Sequence, residues 1–128
     1  THDQKILLIH QYYFIHERKA PTLVAGFVED NDHRRTAENE LREEAGCVAG
    51  DWTYLGSTYR GKYETGVAHF YLAKDVVQVG SQDLEPAEDI DVSFVSVSDF
   101  ITLLKRGELQ DVFPVACAYR ALDHLHLL

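Results

Sequence analysis

Residues His33 to Cys47, His-Arg-Arg-Thr-Ala-Glu-Asn-Glu-Leu-Arg-Glu-Glu-Ala-Gly-Cys, constrain the chain more than any other stretch. They read as one helix, ended by Gly46. Within it, Glu40, Glu43 and Glu44 crowd three carboxylates onto one face at about 100° per residue. Ala37, Leu41 and Ala45 fall on the adjoining stripe and are expected to pack inward, with Arg34, Arg35, Glu38 and Arg42 turned to water. Like charges on adjacent turns repel by a few tenths of a kcal/mol per pair. A solvated acidic face tolerates that repulsion and is the ordinary reading. A divalent cation held by oxygen ligands offsets it and is the functional one.

The chain's 128 residues fit a single domain spanning 1–128. A hydrophobic fraction of 45%, with seven Tyr and six Phe, supports a packed core. The net charge of −9, from 12 basic and 21 acidic residues, argues against a nucleic acid or an anionic membrane as partner. An anionic small molecule would then need cations as a bridge. Cys47 and Cys117 stand far apart in no metal-type spacing, which points to a reducing, cytoplasmic setting. No apolar run reaches membrane-spanning length and no signal peptide opens the chain. Methionine is absent throughout, position 1 included, so the chain is processed, trimmed or written without its methionines.

In order along the chain, Lys5 to Phe14 reads as a buried strand, Ile15 to Pro21 as a polar turn and Thr22 to Val28 as a second strand interrupted by Gly26. Glu29 to Asp32 forms an acidic loop able to cap the helix that follows. Asp51 to Tyr59 and Val67 to Leu72 are two more strands, joined through Arg60 to Gly66. Asp75 to Asp91 is mostly loop, and Val92 to Val97 is the last strand. Ser98 is expected to cap a helix over Phe100 to Arg106, stopped by Gly107. Asp111 to His126 is the final helix, with Val115, Ala118, Ala121, Leu122 and Leu125 at helical spacing. The seven His show no ligand spacing and read as structural. This order predicts an α+β fold, an α/β/α sandwich with a mixed sheet and flanking helices.

The segment Ala25-Gly26-Phe27-Val28-Glu29, followed by Glu40-Leu41-Arg42-Glu43-Glu44-Ala45-Gly46-Cys47, resembles the Nudix box. That signature is Gly, five residues, Glu, seven residues, then Arg-Glu-hydrophobic-any-Glu-Glu-any-Gly-hydrophobic. Similar elements of the ADP-ribose pyrophosphatase-like subfamily stand at Gln11-Tyr12-Tyr13, Trp52 to Gly56, His69 to Ala73 and Glu88-Asp89-Ile90, so nearly the whole chain is covered. The subfamily's segment before the first strand, which helps form its dimer, is expected to be absent or trimmed. Three departures stand out. From Gly26 to Glu40 the chain is one residue short, with Asp32 where the upstream Glu would fall. Asn39 replaces the Arg before the first Glu. Thr58-Tyr59-Arg60-Gly61 stands where many ADP-ribose hydrolases carry Ser-Pro-Gly. We read the gap as a methionine missing from that loop, which an intact mass heavier by whole methionine residues would check.

The resemblance implies Mg²⁺- or Mn²⁺-dependent hydrolysis of a nucleoside diphosphate derivative, ADP-ribose or another nucleotide sugar. It implies Glu40 and Glu44 as main metal ligands, Glu43 as a further one, and the backbone carbonyl of Ala25 completing the shell. For a second carboxylate, metal-binding or water-activating, it points to the loop before the last strand, Glu88 first and Glu85 second. Tyr13 and Arg60 are the weaker, substrate-binding candidates, and Tyr12, Tyr59 and Tyr63 are further rings able to stack on a base. Packing is the commoner fate of a tyrosine, and Tyr13 stands where the subfamily tends to carry arginine. A homodimer follows from the subfamily's habit. The competing readings are a Nudix hydrolase for a different nucleotide or dinucleotide, and a Nudix module that binds a nucleotide without turnover.

Overall fold

A computed structural model describes residues 4–13, 16–26, 28 and 31–128. Five strands and three helices follow one another among them: β1 (Lys5–Tyr13), β2 (Arg18–Thr22), α1 (His33–Ala45), β3 (Cys47–Tyr59), β4 (Val67–Gln78), β5 (Ile90–Ser96), α2 (Val97–Lys105) and α3 (Val112–His124). β1 is the middle strand of a three-stranded sheet in the order β2-β1-β5, and β3 pairs with β4 in a second, two-stranded sheet. Every pairing among the described residues is antiparallel. The α+β architecture expected from the sequence is the one adopted.

The alternation of β1 sets the layers. Ile6 and Leu8 face a cluster made with Phe100, Leu104, Leu109, Ala118 and Leu122, so α2 and α3 cover that side. Leu7 faces the opposite side, where Leu41, Ala45 and Cys47 pack with Val24, Ala49, Trp52, Val76 and Val92. α1 and the β3–β4 hairpin therefore form the second cover. The helix that carries the acidic residues is held by apolar packing on its Leu41 and Ala45 stripe, as the sequence predicts.

Several boundaries differ from the sequence reading. The second strand is Arg18–Thr22, within the expected turn except for Thr22, and residues 23–26 form no regular strand. Pro21, opposite His10, is tolerated there because β2 is an edge strand, paired among the described residues with β1 alone and open on its other side. β3 begins at Cys47 rather than Asp51, and β4 runs on to Gln78, so the long loop is shorter than expected. Ser96, not Ser98, caps α2, its hydroxyl accepting from the Asp99 amide at 3.1 Å. Phe14, Ile15, Phe27, Glu29 and Asp30, which the expected strand ends and acidic loop include, lie outside the described residues.

Candidate active site

The geometry of α1 is set at both ends by local chemistry. Asp32 is its N-cap, the carboxylate accepting from the Arg35 amide at 3.0 Å while its carbonyl takes the Thr36 amide and hydroxyl, each at 3.0 Å. Gly46 ends it in the left-handed region at φ +67°, and its amide returns to the Arg42 carbonyl at 2.8 Å. A Cβ at position 46 would lie 2.3 Å from the Gly80 carbonyl oxygen, so the same glycine admits the chain that follows β4.

Of the three glutamates placed on one face by the sequence, Glu44 stands apart. It is 4% exposed, on the inward side with Leu41 and Ala45, whereas Glu40 and Glu43 are half-buried. The Ala25 amide donates to Glu44 Oε1 at 3.0 Å. Burial pushes the Glu44 carboxyl up to about 8, and the neighbouring charges of Glu40 and Glu88, with a hydrogen bond to Glu88, add to the rise that the Ala25 amide opposes. Glu40 meets the backbone of residue 26: a Cβ built on Gly26 would lie 2.3 Å from its carboxyl carbon and from Oε1. The segment 25–26 thus runs directly over the two carboxyl groups, and only glycine leaves room for Glu40.

The loop before β5 brings in Glu88. Its amide donates to the Glu85 carbonyl at 2.9 Å, and its Oε1 accepts from the Glu85 amide at 2.8 Å. That reciprocal turn directs Glu88 toward Glu44 and leaves Glu85 exposed, taking part through its main chain. One foot of the loop is fixed by the Tyr12 amide on the Asp89 carbonyl at 3.1 Å and by Lys19, whose ammonium reaches Asp89 at 2.9 Å and Asp91 at 2.7 Å. The other foot lies on the end of α1, where the Asp83 amide donates to the Glu43 carbonyl at 2.8 Å.

Glu40, Glu44, Glu88 and Ala25 are therefore brought together, with Glu43 beside them on α1. Among the described residues, however, no three acidic, histidine or cysteine side chains converge on one point closely enough to form a closed metal cage. The contacts run pairwise through Glu44 instead. An all-oxygen set around a carboxyl that burial and two neighbouring charges keep protonated to about pH 8 nonetheless suits a hard divalent cation, which would relieve the crowding of charge.

The two substrate candidates sit elsewhere. The Tyr13 hydroxyl donates to Asp111 Oδ2 beyond the end of β1, and burial with that bond pushes it up to about 12. Arg60 lies at the far end of β3, where its amide donates to the Gly66 carbonyl at 3.0 Å and its guanidinium approaches Glu64 at 3.8 Å. Tyr59 and Tyr63 are almost wholly exposed at the same tip. Neither thiol is poised for attack, since burial raises both and takes Cys117 up to about 11.

The sequence reading missed an aromatic cluster at the start of α1. The rings of His33 and His69 stack at 3.8 Å with 4° between planes. The Tyr71 hydroxyl lies 2.6 Å from His33 Nδ1, and the Tyr54 hydroxyl 2.8 Å from His69 Nδ1. His69 lies on β4 and His33 on α1, far apart in sequence. Only the alternation Trp52, Tyr54 and His69, Tyr71 hinted that these rings share a sheet face.

Comparison with known proteins places this geometry in context. A family model of the NUDIX domain matches residues 1–115. No curated protein matches the chain. Among solved structures, the crystal structure of an ADP compounds hydrolase is similar at a TM-score of 0.83 and 20% identity, covering 98% of this chain and 70% of that one, a likeness of fold. No helix of the described residues is long and apolar enough to cross a membrane. With nine-tenths of its length matched by the family model, and the box's glutamates gathered under residues 25–26, the chain belongs to the NUDIX family.

Proposed function

We propose that this Nudix pyrophosphohydrolase cleaves the pyrophosphate of a nucleoside diphosphate derivative, ADP-ribose or another nucleotide sugar, to a nucleoside monophosphate and a sugar phosphate, with Mg²⁺ or Mn²⁺. The observation that carries the reading is the buried Glu44 carboxyl, pushed up to about 8 with Glu40 and Glu88 against it. Carboxyl groups crowded in this way cost stability, and such cost concentrates where a fold serves chemistry.

In this proposal Glu40, Glu43 and Glu44 hold the cation together with the Ala25 carbonyl. Bound there, a divalent cation would neutralise the pyrophosphate and lower the pKa of a water molecule. Glu88 accepts the proton of the attacking water, oriented by the Glu85 amide, and Glu85 is the second candidate for that task. The Ala25 amide keeps one Glu44 oxygen turned inward. Tyr13, through its ring, and Arg60 are the proposed substrate contacts. A cytoplasmic location is supported by two free thiols in a chain of this size. A homodimer is supported by an exposed apolar row, Val48 with Val77 opposite and Val79 beyond.

The test is a screen over nucleotide sugars and dinucleotides, with Mg²⁺ and then with EDTA, in which alkaline phosphatase frees inorganic phosphate from the monophosphate products but not from the intact substrates. Turnover that EDTA abolishes is expected, and Glu44→Gln and Glu88→Gln should each lower it by orders of magnitude while the circular dichroism spectrum is unchanged. Tight binding without turnover across the panel would favour the non-catalytic nucleotide-binding module instead.

A further inference from the structure

The last turn of a helix leaves carbonyl oxygens without intrahelical partners. At the end of α1 these are taken up by the segment after β4. The Gly46 carbonyl accepts from the Val79 amide at 2.9 Å and the Gly80 amide at 3.3 Å, and the Glu43 carbonyl accepts from the Asp83 amide. The Glu44 carbonyl accepts instead from a side chain, Gln82 Nε2, at 2.7 Å. The same nitrogen donates to the Ile90 carbonyl at 2.9 Å. Both partners are carbonyl oxygens, so only the NH₂ end of the carboxamide can serve, and both of its hydrogens are used.

The two carbonyls have a particular relation to the site. Glu44 carries the most buried carboxyl of α1, and Ile90 opens β5 two residues after Glu88. Gln82 stands immediately before the loop whose reciprocal Glu85–Glu88 turn directs the Glu88 carboxylate at Glu44. One carboxamide therefore closes the loop upon itself and fastens it to the last turn of α1. The Asp83 amide on the Glu43 carbonyl ties only the first foot to α1, and Tyr12 and Lys19 hold the β5 foot to β1 and β2, so among these bonds Gln82 alone joins the β5 foot to α1. A helix cap alone would need one of these bonds and not the second.

We propose that Gln82 is the positioning residue of the site, holding Glu88 at a fixed distance from Glu44 by joining both ends of its loop to the end of α1. The proposal rests on the catalytic reading of Glu44 and Glu88 given above.

The test is a double-variant cycle of Gln82→Met, which keeps length and removes both donors, with Glu88→Gln. It is read by steady-state kinetics and, on the free protein, by Mn²⁺ titration followed by electron paramagnetic resonance. Gln82→Met is expected to lower kcat about tenfold or more with KM within about twofold, because a misplaced group loses rate before binding. It should also weaken Mn²⁺ binding several-fold, because the charge of Glu88, set beside Glu44, helps to attract a cation there even where Glu88 is not itself a ligand. In the Glu88→Gln background the same substitution should change both quantities by less than about twofold, since its route of action is already removed. Losses that multiply in the double variant, or Mn²⁺ binding by Gln82→Met equal to that of the parent, would overturn the proposal. If the parent hydrolyses nothing in the panel, the proposed activity fails while the Mn²⁺ cycle still decides the role of Gln82. Gln82→Thr, shorter and polar, gives the same comparison if the Met variant aggregates.

Discussion

The amide of Ala25 donates to Oε1 of Glu44 at 3.0 Å, joining the segment after β2 to the last turn of α1 across nineteen positions of sequence. The same segment passes over Glu40 at Gly26. Gly26→Ala should therefore act on Glu40 alone. Its φ lies outside the left-handed region and the residue is exposed, so thermal stability is expected to stay within about 0.5 kcal/mol of the parent. The new methyl group would overlap the carboxyl and displace it, and kcat should fall about tenfold or more. A variant with parental turnover would show that Glu40 does not need its observed place.

Glu44 couples the site to pH. In the folded chain its carboxyl is held up to about 8, against about 4.3 for an unperturbed Glu. Between these values the folded state keeps a proton that the unfolded state releases, so this group lowers stability progressively as pH rises and its full cost is reached above about pH 8. Glu44→Gln removes the term. In EDTA, the stability of the variant relative to the parent should grow from pH 5 to pH 8.5 in urea titrations. Saturating Mg²⁺ is expected to narrow the difference by stabilising the parent at high pH. A constant difference across the range would show that Glu44 is not the protonated group.

Much of this arrangement is legible in the sequence, and what is not has a physical reason. α1 is written in local terms, with Asp32 to start it, Gly46 to stop it and the Leu41 and Ala45 stripe to bury it. The resemblance implies Glu88 as a carboxylate from outside the helix, without naming the residue it faces. The burial of Glu44 does not show in the sequence, because helical spacing puts it at the boundary between the acidic and apolar stripes, and packing of the segment at 25–26 decides the side. β2 was misplaced because Pro21 signals a turn unless the strand is known to lie at an edge. Gln82 is illegible in principle: its two bonds reach 38 and 8 residues away, and no pattern of types or spacing encodes them.

His69 provides a second pH effect of opposite sign. Burial, and then the charge of His33 stacked against it, lower its pKa from the ordinary value of about 6.5. The fold favours the neutral ring, so this contribution is fully present above about pH 6.5 and is lost as pH falls through that value toward the folded pKa. His69→Phe keeps a stacking ring and removes the titration. Its urea midpoint should decline less between pH 7.5 and 5.5 than that of the parent. An equal decline would assign the acid sensitivity elsewhere.

Tyr13 separates a structural bond from a substrate contact. Its hydroxyl is committed to Asp111, the N-cap of α3, whose carboxylate also receives the Thr22 hydroxyl at 3.4 Å and makes no cap bond to its own helix. Tyr13→Phe should cost about 1 kcal/mol, read as a melting temperature lower by a few degrees, with KM unchanged. Tyr13→Ala should raise KM if the ring stacks on the base. An unchanged KM in the alanine variant would remove Tyr13 from the substrate site.

The central place of β1 has a consequence for how the protein is made. Its register joins Lys5 to Ser96 and Leu8 to Ser93, and Leu8 packs against Phe100, Leu104 and Leu122. A ribosome delivers β1 before β3 and β4, and these partners only after them. While the intervening residues are made, the nascent chain therefore displays an apolar strand with one open edge, the form of a β-strand most prone to pair with a stranger. The growing polypeptide, more than the finished enzyme, is the species that chaperones have reason to meet.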